Sequence, residues 1–211
     1  MKNEVKTPSV KNASQVKSGR IGIYSGTFDP VHAGHVAFAL QALKEADLDV
    51  VYFLPERRPR YKKQVEHIGH RAAMIERALL PYKKLKLLDE FPELHFSVAK
   101  TLPRLQQKFP GVKLCFLLGS DVVDHLASWE GVDVLLQTSE LIVGLRKGAN
   151  SAQVQQNLPE AAVATLMSVA GPGVRSSHIR DSLYGQTKPA GLLKSVYNYV
   201  RREWLYLKNP L

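Results

Sequence analysis

The stretch Gly26-Thr-Phe-Asp-Pro-Val-His-Ala-Gly-His35 concentrates the residues of this chain best suited to chemistry. His32 and His35 stand three residues apart. Val36, Ala39, Leu40 and Leu43 follow at helical spacing, so residues 35–46 read as a helix with both imidazoles at its mouth. A helix start offers N–H groups that lack intrahelical partners and a partial positive charge. Two imidazoles there can donate to phosphate oxygens and offset charge that develops during phosphoryl transfer. Gly26 permits a sharp turn or a close ligand approach, and Gly34 removes a side chain that would block a phosphate. No third ligand is evident nearby, which argues against a metal site. Histidines at a helix start can also be plain caps, but a glycine loop between strand and helix favours anion binding. A second string, Val174-Arg-Ser-Ser-His-Ile-Arg180, opens a helix over residues 177–184. Its hydroxyls can cap that helix or hold phosphate, and Arg180 can give a forked contact to phosphate oxygens.

The surrounding elements must bring these two strings together. Ile21-Gly-Ile-Tyr24 reads as a buried strand before the first loop, and Val50-Val-Tyr-Phe-Leu54 as the next strand, closed by Pro55. A basic loop with Arg57, Arg58, Arg60, Lys62 and Lys63 leads to a helix over residues 69–80, stopped by Pro81. Residues 85–88 form a weak third strand. Residues 97–109 look helical, and the cost of an interior proline moves the expected helix start to Thr101, with Pro103 in the first turn. Residues 112–118 make the best strand, ending at Gly119. Short helices fill residues 121–136, residues 140–144 make another strand, and Ala-rich residues 161–168 are ambiguous. Residues 192–203 close the chain as a helix. Strands alternating with helices predict an α/β, Rossmann-like three-layer sandwich with a parallel sheet of five or six strands, right-handed crossovers and residues 20–24 central. Ligands of such sheets bind beyond the carboxyl ends of the strands, here the loops after Tyr24, Leu54, Leu118 and Ser168.

The string Gly-x-Phe-Asp-Pro-x-His-x-Gly-His resembles the hallmark of the nucleotidylyltransferase superfamily that shares a His-x-Gly-His signature. Residues 174–180 are similar to that superfamily's Ile-Ser-Ser-Thr-x-Ile-Arg string, with Arg175 in place of its first Ser. The stretches from Leu54-Pro through Tyr61-Lys-Lys63 to His70-Arg-Ala-Ala-Met74, Phe116 to Asp121, and Leu141 to Gly148 narrow the resemblance to nicotinate or nicotinamide mononucleotide adenylyltransferases, over residues 20–206. The resemblance implies adenylyl transfer from ATP to a pyridine mononucleotide, giving the dinucleotide and pyrophosphate in NAD biosynthesis. It implies His32, His35 and Arg180 as catalytic residues. It assigns ATP to Gly26, Thr27, Phe28, His32, Gly34, His35, Asp121, Ser176, Ser177, Ile179 and Arg180. It assigns the pyridine nucleotide to Lys63, Val98, Trp129 and Arg146. Val98 stands where the branch commonly has Thr, which leaves carboxylate and amide substituents both open. An indole suits stacking on an electron-poor ring, although Trp129 could equally be core. Mg²⁺ is expected to arrive on ATP rather than in a resident site.

Composition sets the boundaries of this reading. The 211 residues are 45% hydrophobic and 23% charged, enough for one substantial core. Lys plus Arg is 29 against 19 acids, a net charge of +10 that favours polyanionic partners. Lone Cys115 excludes an intrachain disulfide. No apolar run reaches the ~20 residues of a membrane span, and no signal-peptide pattern is present. The expectation is a soluble cytoplasmic protein with no membrane partner. A nucleic-acid-binding role is disfavoured by the lack of a helix-turn-helix, RNA-binding or zinc signature. A pantetheine-phosphate adenylyltransferase or cytidylyltransferase is disfavoured by Trp129 and by the spacing of the two strings. An inactive relative acting as a scaffold is disfavoured by the presence of both histidines. Residues 1–19 read as a flexible basic extension outside a single domain at 20–211, with Lys2, Lys6, Lys11 and Lys17 against Glu4. Deleting residues 1–19 should leave steady-state turnover within a few-fold; a large loss in a folded truncation would place the extension in the site.

Overall fold

The computed structural model describes residues 19–59, 64–91, 93, 95–146, 148–169, 173–185 and 187–207. The sheet contains β1 (Arg20–Gly26), β2 (Val50–Pro55), β3 (Leu85–Leu87), β4 (Lys113–Gly119), β5 (Ser139–Leu145) and β6 (Ala164–Ser168). They form a six-stranded sheet in the order β3-β2-β1-β4-β5-β6, and every pairing is parallel. β1 is therefore central, flanked by β2 and β4, as the sequence predicts.

Side-chain alternation builds the two cores. In β1, Ile21 and Ile23 join one cluster with Leu114, Phe116, Leu118, Leu141 and Val143. Val51, Phe53, Cys115, Leu117 and Ile142 point to the other. A strand buried on both faces reads as a continuous apolar run, which is why residues 112–118 stand out in the sequence. The helices divide accordingly. α1 (Ala33–Glu45), α2 (Ile68–Leu79), α7 (Ser176–Tyr184) and α8 (Lys194–Arg202) cover the first face. α3 (Val98–Lys108), α4 (Ser120–Leu126), α5 (Val132–Thr138) and α6 (Ser151–Asn157) cover the second.

Three details differ from the sequence expectation. α3 begins at Val98 rather than Thr101, with Pro103 inside it. Val98 is buried, the Thr101 hydroxyl accepts from the Ser97 N–H at 3.0 Å, and Pro103 lies on the solvent side. The carbonyl four residues before Pro103 belongs to exposed Ala99, so water can satisfy it. α6 was not anticipated, because only Val154 of its seven residues is buried. Its signal was the cap: the Asn150 side chain accepts from the N–H groups of Ala152 and Gln153. The ambiguous segment at 161–168 is the edge strand β6.

A side-chain layer from β2, β4 and the turn after α1 presses closely on the centre of β1. A Cβ on Gly22 would lie 2.8 Å from Val51, 2.9 Å from Leu117 and 3.0 Å from Leu48. Gly22→Ala should therefore lower stability by about 1–3 kcal/mol through overpacking. Denaturant unfolding reads this directly, and an unchanged midpoint would show that the layer can yield.

Candidate active site

The carboxyl end of β1 runs into the loop that carries the first motif. Gly26 closes the strand, and a Cβ there would meet the Phe28 ring at 3.1 Å. Phe28 adopts φ 49, a left-handed conformation that costs a non-glycine residue free energy. Burial of its ring against Tyr24 and Phe53, with centroids at 5.2 and 5.3 Å, offsets that cost.

His32 is the N-cap of α1 and His35 its third residue. Their rings stack at 3.7 Å. The His32 N–H donates to His35 Nδ1 at 3.2 Å, so in the neutral ring the His35 proton sits on Nε2. His32 is 5% exposed. Burial, aided by the positive charge of Arg146, lowers its pKa to about 4, so the free protein holds it neutral near pH 7. Gly34 lies half-buried in the first turn between the two histidines.

The second motif meets this loop directly. The Ser176 hydroxyl donates to the Pro30 carbonyl at 3.0 Å. Arg180 Nη1 donates to the Asp29 carbonyl at 2.6 Å and lies 3.7 Å from the Asp29 carboxylate. Ser177 is exposed at the helix start. Ile179 is buried in the core and its N–H is bonded to the Arg175 carbonyl, so its side chain anchors α7. The structure thus brings together strings that stand about 140 residues apart, Pro30 and Ser176 being separated by 146 positions.

The adjoining loops complete the rim. Asp121 in α4 and Arg146 after β5 form a two-pronged ion pair at 2.9 and 2.8 Å. The pairing of Gly119 with Gly144 places these two loops side by side. On the second face, Trp129 lies 5.9 Å from the Phe96 ring, itself 5.2 Å from Phe116. Val98 belongs to the same apolar cluster and lies beside Gly131. Lys63 falls outside the described residues. A cleft of about 940 Å³ opens between the loop after β2 and α7, with Asp29, Arg57, Arg58, His67, Arg180 and Tyr206 in its walls.

Two residues that shape the site had no role assigned from the sequence: Arg71 stands in the His70–Met74 string without one, and Tyr206 stands in no motif. Arg71, fully buried in α2, donates to the carbonyls of Thr27, Glu56, Arg57 and Glu66. Tyr206, after α8, donates from its hydroxyl to the Asp29 carboxylate at 2.6 Å. Burial and the charge of Asp29 push the Tyr206 pKa far up, which keeps the phenol a donor.

A parallel sheet with a glycine loop, paired histidines at a helix mouth and a second helix that brings Arg180 to that loop is an α/β arrangement suited to holding phosphate groups. Residues 23–182 match the cytidylyltransferase-like family. The chain belongs to that family, in its group of nicotinate-nucleotide adenylyltransferases. It is 34% identical to the probable nicotinate-nucleotide adenylyltransferase of Halalkalibacterium halodurans, over 90% of this chain and 92% of the relative. It is 34% identical to the nicotinate-nucleotide adenylyltransferase of Bacillus subtilis, over 61% and 70% respectively. The fold matches that of the Plasmodium falciparum nicotinic acid mononucleotide adenylyltransferase complexed with NaAD. The TM-score is 0.74 at 18% identity, covering 89% of this chain and 97% of that one. Among the described residues, no helix is long and apolar enough to cross a membrane.

The buried His32 has a consequence for stability. In the unfolded chain it titrates near 6.5, in the folded protein at about 4. Between these values the unfolded state binds more protons, so stability falls as pH drops from 6.5 to 4. The full loss is of order 3 kcal/mol at 1.4 kcal/mol per pH unit. Denaturant unfolding of the ligand-free protein across that range should show this slope, reduced in His32→Asn. An equal slope in both proteins would mean that His32 is not desolvated.

Proposed function

We propose that this chain transfers the adenylyl group of MgATP to nicotinate mononucleotide, releasing pyrophosphate and forming the dinucleotide. The observation that carries the reading is the stacked His32–His35 pair at the start of α1, clamped to the Arg180 helix through Asp29 and Pro30. Of five buried polar side-chain atoms without a hydrogen-bond partner among the described residues, three lie in this segment: Ser25 Oγ, His32 Nδ1 and Asp29 Oδ2, the last 3.7 Å from Arg180. Native proteins seldom leave such atoms without a partner, so a bound ligand is one explanation for them. The choice of nicotinate follows the names of the relatives.

A mononucleotide phosphate is already anionic at neutral pH, so attack needs no general base. Its oxygen forms a bond to the α-phosphorus of ATP as the bond to the β-phosphate bridging oxygen breaks, and pyrophosphate leaves carrying the negative charge. The protein's tasks are alignment and charge stabilisation. His32 and His35 supply imidazole donors to the α-phosphate, and the loop at Gly26, Thr27 and Phe28, with Gly34, gives it room and backbone N–H groups. Arg180, Ser176 and Ser177 face the leaving pyrophosphate, with Ile179 holding their helix in place. Asp121 receives ribose hydroxyls, Trp129 stacks on the pyridine beside Val98, and Arg146 and Lys63 meet the mononucleotide. Mg²⁺ carried on ATP would offset the negative charge of its phosphates.

A panel of pyridine mononucleotides with MgATP, read by pyrophosphate release, tests the reaction. Nicotinate mononucleotide should be the best acceptor; turnover of none of them would refute the reading. His32→Ala and His35→Ala should each lower kcat ~10²–10³-fold, as loss of a transition-state donor does. Trp129→Ala should raise KM for the pyridine nucleotide with little change in kcat, since stacking is present before and during transfer.

A further inference from the structure

Arg71 is the largest fully buried side chain of the protein's described residues, at 0% exposure, and no carboxylate hydrogen-bonds to it. Nε donates to the Glu66 carbonyl at 2.8 Å and Nη1 to the Thr27 carbonyl at 2.7 Å. Nη2 donates to the carbonyls of Glu56 at 2.8 Å and Arg57 at 3.0 Å. These acceptors sit on three separate segments: the loop after β1, the loop after β2 and the approach to α2. The Asp29 and Glu56 charges act on it favourably without bonding to it, yet burial still outweighs them. A buried cation hydrogen-bonded only to neutral carbonyls is a costly arrangement, and an apolar side chain could fill the same space at lower desolvation cost. What an apolar side chain cannot do is orient four peptide planes at once.

The Thr27 contact matters most. In a trans peptide the C=O and the following N–H point in opposite directions. Fixing the Thr27 carbonyl on Arg71 therefore directs the Phe28 N–H to the other side, and Phe28 is the residue held at φ 49. The Glu56 N–H in turn donates to the Gly26 carbonyl at 3.0 Å, which ties the same peptide run to β2. We infer that Arg71 is a positioning residue for the reaction: through the Thr27, Glu56 and Arg57 carbonyls it holds the loop after β1 in the shape that the phosphate groups require. It touches no substrate. This inference rests on the adenylyl-transfer reading above. Lysine keeps the charge but gathers its donors on one nitrogen, so it cannot serve carbonyls spread around a planar fork.

The test uses the full-length protein with Arg71→Lys and Arg71→Met. Kinetics with MgATP and nicotinate mononucleotide should show kcat reduced about 10–100-fold in Arg71→Lys and further in Arg71→Met, because small misplacements of reacting groups carry such penalties. The fall in kcat should exceed any rise in KM for the pyridine nucleotide: Trp129 lies on the opposite face of the sheet from α2, although Arg71 also holds the carbonyls of Arg57 and Glu66 on either side of Lys63. Backbone hydrogen exchange, which needs no activity, should show lost protection at residues 26–29 and 56–57 with β4 and β5 unchanged. If Arg71→Met does not fold, Arg71→Lys decides. A folded Arg71→Lys with wild-type kcat, or exchange raised uniformly through the sheet, overturns the positioning role. Wild-type protein that turns over no pyridine nucleotide, with local exchange still raised in the variants, would instead refute the reaction and keep the pinning.

Discussion

The loop between β1 and α1 does not hold itself in place; two guanidinium groups from elsewhere in the chain do. Arg71 takes the Thr27 carbonyl from the α2 side, and Arg180 takes the Asp29 carbonyl from the α7 side. Between those two pinned peptides lies Phe28, in a conformation that a free chain would leave. Four residues further on comes His32, and three after it His35. Their position therefore follows from how α2 and α7 dock on the first face of the sheet. The apolar contacts of Met74, Ile75, Ile179 and Leu183 that seat these helices also set the geometry of the site.

Positive charge around the loop comes from the guanidinium groups of neighbouring elements, Arg71 and Arg180, with His32 held neutral. Asp29 is buried, yet its carboxylate is answered by the Tyr206 hydroxyl, the Glu66 N–H and the nearby Arg180. Arg146 holds Asp121 in a two-pronged pair on the exposed side, while its charge adds to burial in keeping His32 neutral. A neutral His32 avoids burying a further positive charge within the field of Arg146.

How much of this could be read in the chain depended on whether the signal was local. The two motifs are contiguous strings, and the strands are apolar runs whose meaning does not depend on partners. Both were therefore legible, as was the central place of β1. Arg71 stands in the His70–Met74 string that carries the resemblance, but its hold on the loop after β1 depends on burial and on carbonyls far along the chain, which no local pattern shows. Tyr206 sits 177 positions from the carboxylate it meets. The start of α3 was misjudged because propensity weighs Pro103 as an interior proline and cannot see that Ala99 faces water. α6 escaped because a helix with one buried residue has no apolar stripe.

The strand order explains why one site can serve two nucleotides. From β1 the chain winds outward to β2 and β3, then returns to β4 and winds the other way to β5 and β6. The helix after β1 packs on the first face and the helices after β4 on the second, so a crevice opens at the carboxyl ends of these neighbouring strands. The histidine pair belongs to the first side of that crevice. Trp129, Phe96 and Val98 belong to the second. A reaction that joins two large substrates needs them to approach from different directions and meet end to end. A switch point between β1 and β4 supplies that geometry from the topology alone, leaving the loops to supply the chemistry.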